Sequence, residues 1–262
     1  MPRRNHGEVS LERALSKLGA ASRAEARRRI VAGEVEVDGV VVTEPSRSVV
    51  PERVAIRLGG APVSRPTFRC LMLHKPRGVV TTRRDPEGRK TVFELLGPEG
   101  RGMLAVGRLD FATSGLLLFT NDSQLANALT DPANAVPRVY VVTVRGLWSE
   151  EKSLLLKEGV LDGGDSLRAA EVVARKVSGR ESHLVVTLDE GKNREIRRLL
   201  KAVGHEVTRL KRVAFGGLEL DALEAGKWRE VEASELEVAF GSVLPRTVTG
   251  STTTGRSGDA AG

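Results

Sequence analysis

The chain has 262 residues, a formal net charge of +7 and a pI near 9.9. That length allows one sizeable core and a smaller companion, and the basic balance favours a polyanionic partner. The single cysteine, Cys70, excludes an intrachain disulfide, and His6, His74, His183 and His205 lack metal-ligand spacing with it, so no structural metal is expected. No apolar run approaches the ~20 residues needed to cross a bilayer. The N-terminal stretch lacks the apolar core of a secretory signal, so the expectation is a cytoplasmic protein without a membrane partner. Aromatic residues make up only 3% of the chain, which argues against an open stacking platform for single strands.

Residues 9–58 read as a compact module. Ser10 is placed to cap a short helix with Leu11, Leu15 and Leu18 on one face, ending near Gly19. Ser22 and Glu25 have capping-box spacing at the head of a second helix, which carries Arg23, Arg27, Arg28 and Arg29 and stops at Gly33. Val35 and Val37 alternate with glutamates, Asp38-Gly39 suits a tight turn, and Val40 to Val42 return as the second arm of a hairpin. Val54, Ile56 and Leu58 alternate as a later strand. The stretch SRAEARRRIVAGEVEVDGVVV, Ser22 to Val42, resembles the RNA-binding module first seen in ribosomal protein S-four. Arg23 and Arg27 lie one helical turn apart and, with Arg28, are candidate phosphate contacts; the alternative is a solvated helix face.

Gly59-Gly60-Ala61-Pro62 reads as a linker, covering 59–67. From 68 to 240 strands and helices alternate. CLMLHKP (Cys70 to Pro76) reads as a buried strand ended by proline, and Thr91 and Glu94 are spaced to cap a helix at VFELL. MLAV (Met103 to Val106) and LLLFT (Leu116 to Thr120) are strand-length apolar runs around a polar loop. The β-branched runs VYVVTV (Val139 to Val144) and HLVVTL (His183 to Leu188) suit interior strands. NREIRRLLKAVG predicts an amphipathic helix that buries Ile196, Leu199, Leu200 and Val203, turns Arg194, Arg198 and Lys201 outward, and ends at Gly204. Residues 241–262 are low in complexity and are expected to be a disordered tail.

Charge is unevenly placed. Residues 69–90 hold seven Lys/Arg against two acids, and residues 190–212 hold eight against three. Each segment nets +5, so the two together exceed the charge of the whole chain. An anion-binding surface built from both accounts for this better than uniform solubilising charge. Lys75, Arg77, Arg194 and Arg198 are its candidate RNA contacts. Arg209, Lys211 and Arg212 fall in a predicted strand and have acid pairing as the alternative.

The most informative stretch is AVGRLDFATSGLLLFTND, Ala105 to Asp122, in which two apolar strands frame a tight loop carrying Arg108, Asp110 and Thr113-Ser114-Gly115. On physics alone a lone Asp in such a loop is more often a turn residue than a catalyst. The stretch is similar to the catalytic motif of the RsuA/RluB-type ribosomal-RNA pseudouridine synthases. HKPRGVVTT precedes it in the expected order, and RVYVVTVRG, EGKNREIRRLLKAVGHEVTRLKRVAFGGLEL and GKWREV come after it. The resemblance implies that Asp110 is the essential carboxylate and that Tyr140, the only tyrosine, stacks on the target uracil. It also implies that Lys192 takes the place of the basic residue paired with the aspartate, and that Arg108 helps place the loop or hold the displaced strand. Lysine lacks the bidentate fork of arginine, which predicts a looser pair.

The implied reaction breaks the bond from ribose to a ring nitrogen, turns the uracil and bonds the sugar to a ring carbon. No atoms enter or leave, so no cofactor is expected. The carboxylate acts as nucleophile or as base, and the sequence does not choose between them. The implied fold is α+β, a catalytic domain with a mixed, largely antiparallel sheet joined to the small N-terminal αβ module. The implied partner is ribosomal RNA, large-subunit rather than small-subunit, acted on by a monomer. Two other classes compete. One is a non-catalytic RNA-binding ribosome-assembly protein, which the intact Asp110, Tyr140 and Lys192 argue against. The other is a glycosidic-bond hydrolase, which would want a second carboxylate.

Overall fold

The computed structural model describes residues 8–51, 53–64, 67–245 and 248. The described residues fall into two compact units, divided between Thr67 and Phe68.

In the first unit, β1 (Val9–Ser10) leads into α1 (Leu11–Lys17), followed by α2 (Arg23–Val31), β2 (Val35–Val37), β3 (Val40–Val41), β4 (Ser48–Val49), β5 (Ile56–Leu58) and β6 (Ala61–Pro62). Leu11 and Leu15 are fully buried with Ala26 and Ile30 of α2, Val35 and Val37 of β2, and Ile56 of β5, so one apolar cluster holds helices and sheet together. The Ser22 hydroxyl accepts from Glu25 N at 3.3 Å, as the capping spacing predicts. Ser10 sits at the N-cap of α1 without a side-chain cap bond. Asp38 and Gly39 both take positive φ, 52° and 79°, the geometry of a two-residue hairpin turn.

The expected linker is corrected at its start. Gly59 and Gly60 also take positive φ, 59° and 78°, and turn the chain back so that β6 pairs antiparallel with β5. The sheet order is β3-β2-β5-β6. A Gly-Gly pair between strand-length segments is a hairpin signal as much as a linker signal, and the pairing of the next segment decides between them.

The second unit contains β7 (Cys70–Lys75), α3 (Val92–Leu96), β8 (Leu104–Val106), β9 (Ser114–Thr120), α4 (Ser123–Thr130), β10 (Arg138–Arg145), α5 (Glu150–Glu158), β11 (Val160–Asp162), β12 (Asp165–Leu167), β13 (Glu171–Lys176), β14 (Glu181–Leu188), α6 (Glu195–Ala202), β15 (Val207–Phe215), β16 (Leu218–Glu219), β17 (Trp228–Glu230) and α7 (Ala233–Phe240). Its sheet runs β13-β14-β10-β15-β9-β7-β17, with β8 on β9 and β16 on β15. Every pairing along this path is antiparallel except β15 with β9, so the sheet is mixed and largely antiparallel, as the family resemblance implies. Residues 70–73 of β7 and 116–119 of β9 are unbroken apolar runs because both faces of these strands are covered. Leu71, Leu73, Leu117 and Phe119 face a core shared with α3, α5 and α6; Cys70, Met72, Leu116 and Leu118 face another shared with α4 and α7.

The parallel contact depends on a glycine. Gly115 lies opposite Arg212, takes φ of +115°, and a Cβ there would stand 2.1 Å from Arg212 O. Only glycine permits this close approach of β9 to β15.

The tail expected from 241 onward is ordered at its start. Residues 241–243 form a 3₁₀ turn, and Val248 is fully buried against the α7 side of the core. Residues 246, 247 and 249–262 lie outside the described residues. Among the described residues, no helix is long and apolar enough to cross a membrane.

Candidate active site

Residues 107–113 form the loop between β8 and β9, and every carbonyl from Leu109 to Thr113 has a partner. The Thr81 hydroxyl donates to Leu109 O at 2.9 Å, and Gly78 N to Phe111 O at 2.9 Å. Arg197 Nη2 reaches Ala112 O at 3.4 Å. The Lys75 ammonium donates to three oxygens, Asp110 O at 3.0 Å, Thr113 O at 2.8 Å and Pro76 O at 3.1 Å. Five consecutive satisfied carbonyls make the loop a rigid mount for whatever side chain it presents.

Lys75 is fully buried, so it is not the surface RNA contact expected from the charge pattern. The strand that ends at Pro76 carries it inward, and an ammonium's three donors match three backbone oxygens. Burial pushes its pKa down to about 8 from 10.5, and the negative charge of Asp110 works against that shift.

The side chain so presented is Asp110. Its carboxylate is one-third exposed and opens into a cavity of about 540 Å³ between the loop, β10, β15 and the head of α6. Arg108, Tyr140, Lys192 and Arg194 line the same cavity. Tyr140 is 8% exposed and packs in the core while presenting a wall to this space, so one residue serves both core and cavity.

The expected partner of the aspartate is corrected. Lys192 Nζ donates to Glu190 Oε1 at 2.6 Å and to Ser166 O at 2.7 Å. The cation facing Asp110 is Arg194, with Nη1 3.6 Å from Oδ2. Arg194 occupies the N-cap of α6 in a left-handed backbone conformation, φ 49° and ψ 31°. That kink turns its side chain toward the loop, while Lys192, two residues earlier, is drawn to an adjacent carboxylate. Non-glycine residues rarely adopt this conformation, and arginine is not among those enriched in it, so no sequence signal announces the kink. If Asp110 is the reacting group, Arg194→Ala should lower the single-turnover rate about 100-fold, as loss of a charge-stabilising donor does. Lys192→Ala should cost less than about tenfold, because its ion pair is with Glu190 and is about one-third exposed. The reverse ranking would restore the sequence-based pairing.

Arg198 is also reassigned. Its Nε and Nη1 bind Asp162 at 2.5 Å and Asp165 at 2.8 Å, which ties α6 to the β11–β12 hairpin and occupies the donors a phosphate would need. Arg77 and Arg108 remain exposed. In the first unit Arg23 and Arg28 are exposed, whereas Arg27 pairs with Glu12 at 2.9 Å.

The cavity floor was not foreseen. Arg138 and Arg212 are buried there, each with its guanidinium 5.1 Å from the Phe215 ring centroid. Arg138 donates to Val136 O, Asp189 O and Leu129 O, and burial, reinforced by the charge of Arg212, holds its pKa below the usual value. Glu195 is buried beside them. Burial pushes its carboxyl up to about 7; the Lys192 N–H works against that shift, while Glu190 adds to it. Arg138 stands in a β-branched run and Arg212 in a basic one, and neither context marks a buried cation. Among the described residues, no cluster of three His, Cys, Asp or Glu side chains could hold a metal ion.

Comparison with known proteins agrees with this architecture. The family model for RNA pseudouridylate synthase matches residues 69–202, and that for the S4 domain matches residues 10–54. An RNA pseudouridine synthase of Aquifex aeolicus, itself described as uncharacterized, is 37% identical over 242 residues, covering 90% of this chain and 95% of that one. Ribosomal large subunit pseudouridine synthase B of Salmonella typhimurium is 42% identical over 245 residues, covering 89% and 82%. A crystal structure of pseudouridylate synthase superposes with a TM-score of 0.61 at 26% identity, covering 87% of this chain and 98% of that one. With a family model over half its length, relatives matched nearly end to end, and a carboxylate on a braced loop in a cationic cavity, the chain belongs to the RNA pseudouridylate synthases, enzymes that isomerise uridine in RNA to pseudouridine.

Proposed function

We propose that this enzyme isomerises one or a few specific uridines in large-subunit ribosomal RNA, with Asp110 as the reacting carboxylate and Tyr140 as the wall against which the flipped uracil lies. The observation that carries the site assignment is the Asp110 carboxylate itself. It is accessible, held on a loop with no free carbonyl between Leu109 and Thr113, and opposed by Arg194 in a cavity of nucleotide size. The large-subunit assignment is supported by the 42% identical relative that carries that name.

A uridine inside folded RNA reaches Asp110 only if it leaves its stack, at a cost of a few kcal/mol. Phosphate contacts from exposed cations such as Arg77 and Arg108 offset that cost. Once the glycosidic bond opens, the uracil must stay and turn in place. A closed slot with one aromatic wall does this, and a water-filled cleft would lose the base. A substrate in assembling ribosomes sets the reaction in the cytoplasm, performed by a monomer.

The test is direct. Unmodified large- and small-subunit rRNA transcripts are incubated with the enzyme, and pseudouridine is mapped by carbodiimide-dependent primer-extension stops. New stops are expected at one or a very few large-subunit positions. Stops confined to the small-subunit transcript would overturn the choice of subunit.

The N-terminal module supplies affinity through charge in this reading. Replacing Arg23 and Arg28 together with alanine should weaken RNA binding and reduce the slope of log K against log salt by about 2. A slope equal to that of the unaltered enzyme would remove both residues from the RNA interface.

A further inference from the structure

The floor of the active-site cavity holds a donor without a hydrogen-bond partner among the described residues. Arg212 is 3% exposed, and in the antiparallel register of β10 and β15 it is the direct partner of Tyr140. Its Nε donates to Leu116 O at 2.7 Å, and Phe215 lies under its guanidinium, so its plane is set from two sides. Its Nη2 is buried without a hydrogen-bond partner. Thr113 Oγ1, three residues from Asp110 and lining the same cavity, is also buried and unpartnered. Arg138, the other buried arginine here, has both Nη atoms engaged. A buried unpaired donor is costly and calls for a reason, and a ligand that completes it is one.

Arginine donates and never accepts, and it stays protonated. Its counterpart on a base must be an acceptor. Uracil offers O2 and O4, whereas cytosine carries an amine donor where uracil has O4. We propose that Arg212 is the base-recognition residue of this enzyme, donating from Nη2 to a carbonyl oxygen of the uracil that lies against Tyr140. The inference rests on the proposed placement of the base beside Tyr140.

The chemistry has two consequences. A ring that turns a donor toward Nη2 is rejected, because two donors then face each other in a buried site. The same contact strengthens during reaction. Breaking C1′–N1 leaves the bonding pair on the uracil ring, shared with O2 and O4, and the guanidinium stabilises that charge most when it is fully developed. Forming C1′–C5 uses a ring electron pair, the C5 proton leaves and N1 takes one. The ring ends neutral, and Arg212 has neither given nor taken a proton. Its loss should therefore fall on kcat more than on KM.

The test pairs a residue with a substrate atom. Single-turnover rates are measured on an rRNA fragment carrying uridine, 2-thiouridine or 4-thiouridine at the target position, with the unaltered enzyme, Arg212→Met and Arg212→Lys. Sulfur is a weaker acceptor than oxygen. One thio substitution should slow the unaltered enzyme by roughly 10- to 100-fold. Both variants should be slow on uridine and lose nothing further with that same analogue, and the responsive analogue identifies the oxygen. An unaltered enzyme indifferent to both sulfur substitutions would overturn the inference without needing a folded variant. So would a thio effect that persists undiminished in either variant. Failure of the underlying reading shows separately, as an unaltered enzyme inert on the all-uridine fragment, and takes this inference with it.

Discussion

Asp110→Asn is expected to abolish pseudouridine formation, lowering the rate by at least ~10³-fold, while RNA affinity is kept or slightly raised. The substitution is isosteric and removes one negative charge from a cationic cavity. Its cost in stability should be below ~1 kcal/mol, because the ion pair it breaks joins a one-third-exposed carboxylate to a half-exposed guanidinium at 3.6 Å. The backbone bonds that hold the loop go to carbonyl oxygens and survive the change. Activity and fold are thereby separated, which makes the experiment decisive. Primer-extension stops that persist with the Asn variant would reject Asp110 as the reacting group. Release of free uracil by the unaltered enzyme would indicate hydrolysis in place of isomerisation, and a carboxylate without a second acid beside it is poorly equipped for that.

Lys75→Met is expected to damage both stability and turnover. It leaves Pro76 O and Thr113 O without their buried donor, and Asp110 O keeps only Thr113 N at 3.0 Å. Stranding those oxygens costs about 2–3 kcal/mol after the relief of burying a charge is counted, a fall in Tm of roughly 4–12 °C. Turnover should drop about 100-fold, since a displacement of ~1 Å in a reacting group has that effect. The loss should lie in kcat, because exposed cations such as Arg77 and Arg108, the proposed phosphate contacts, are untouched.

The lysine's titration supplies a second readout. Its folded pKa of about 8 lies below the ordinary 10.5, so between those values the unfolded chain holds a proton that the folded chain has shed. The contribution of Lys75 to stability therefore rises with pH across that window. Lys75→Met should flatten the rise, seen as a smaller change in Tm between pH 8 and 10. An identical pH profile in both proteins would show that the lysine titrates normally.

The elements were legible where local patterning and burial coincide. The apolar runs of β7 and β9 announce strands covered on both faces, and the β-branched runs of β10 and β14 announce interior strands. The capping spacings at Ser22 and Thr91 both form in the structure. The motif around Asp110 was legible only by its resemblance to a family, because an acid in a strand-loop-strand carries no mark of catalysis by itself.

Misreadings arose where a residue's role depends on what the rest of the chain brings to it. Gly59-Gly60 reads as a linker until β6 is seen to pair with β5. Arg198 reads as an outward phosphate contact until the β11–β12 hairpin places Asp162 and Asp165 against it. Lys75 reads as surface charge until the loop that needs it, 35 to 38 residues later, is folded over it.

Composition and charge placement by themselves marked a basic protein with two strongly cationic segments, and local patterning put strands and helices nearly where they stand; the pseudouridine synthase family was reached through the resemblance that the order of the motifs carries. Only the tertiary structure decided which cation faces Asp110, which lysine braces its loop, and that two arginines lie buried beneath the cavity. Periodicity and propensity act over a few neighbouring residues, whereas the partner of a charge is set by distance in space. Arg194 wins Asp110 over Lys192 through one left-handed residue at a helix start, a choice made by the packing of α6 and written in no local pattern.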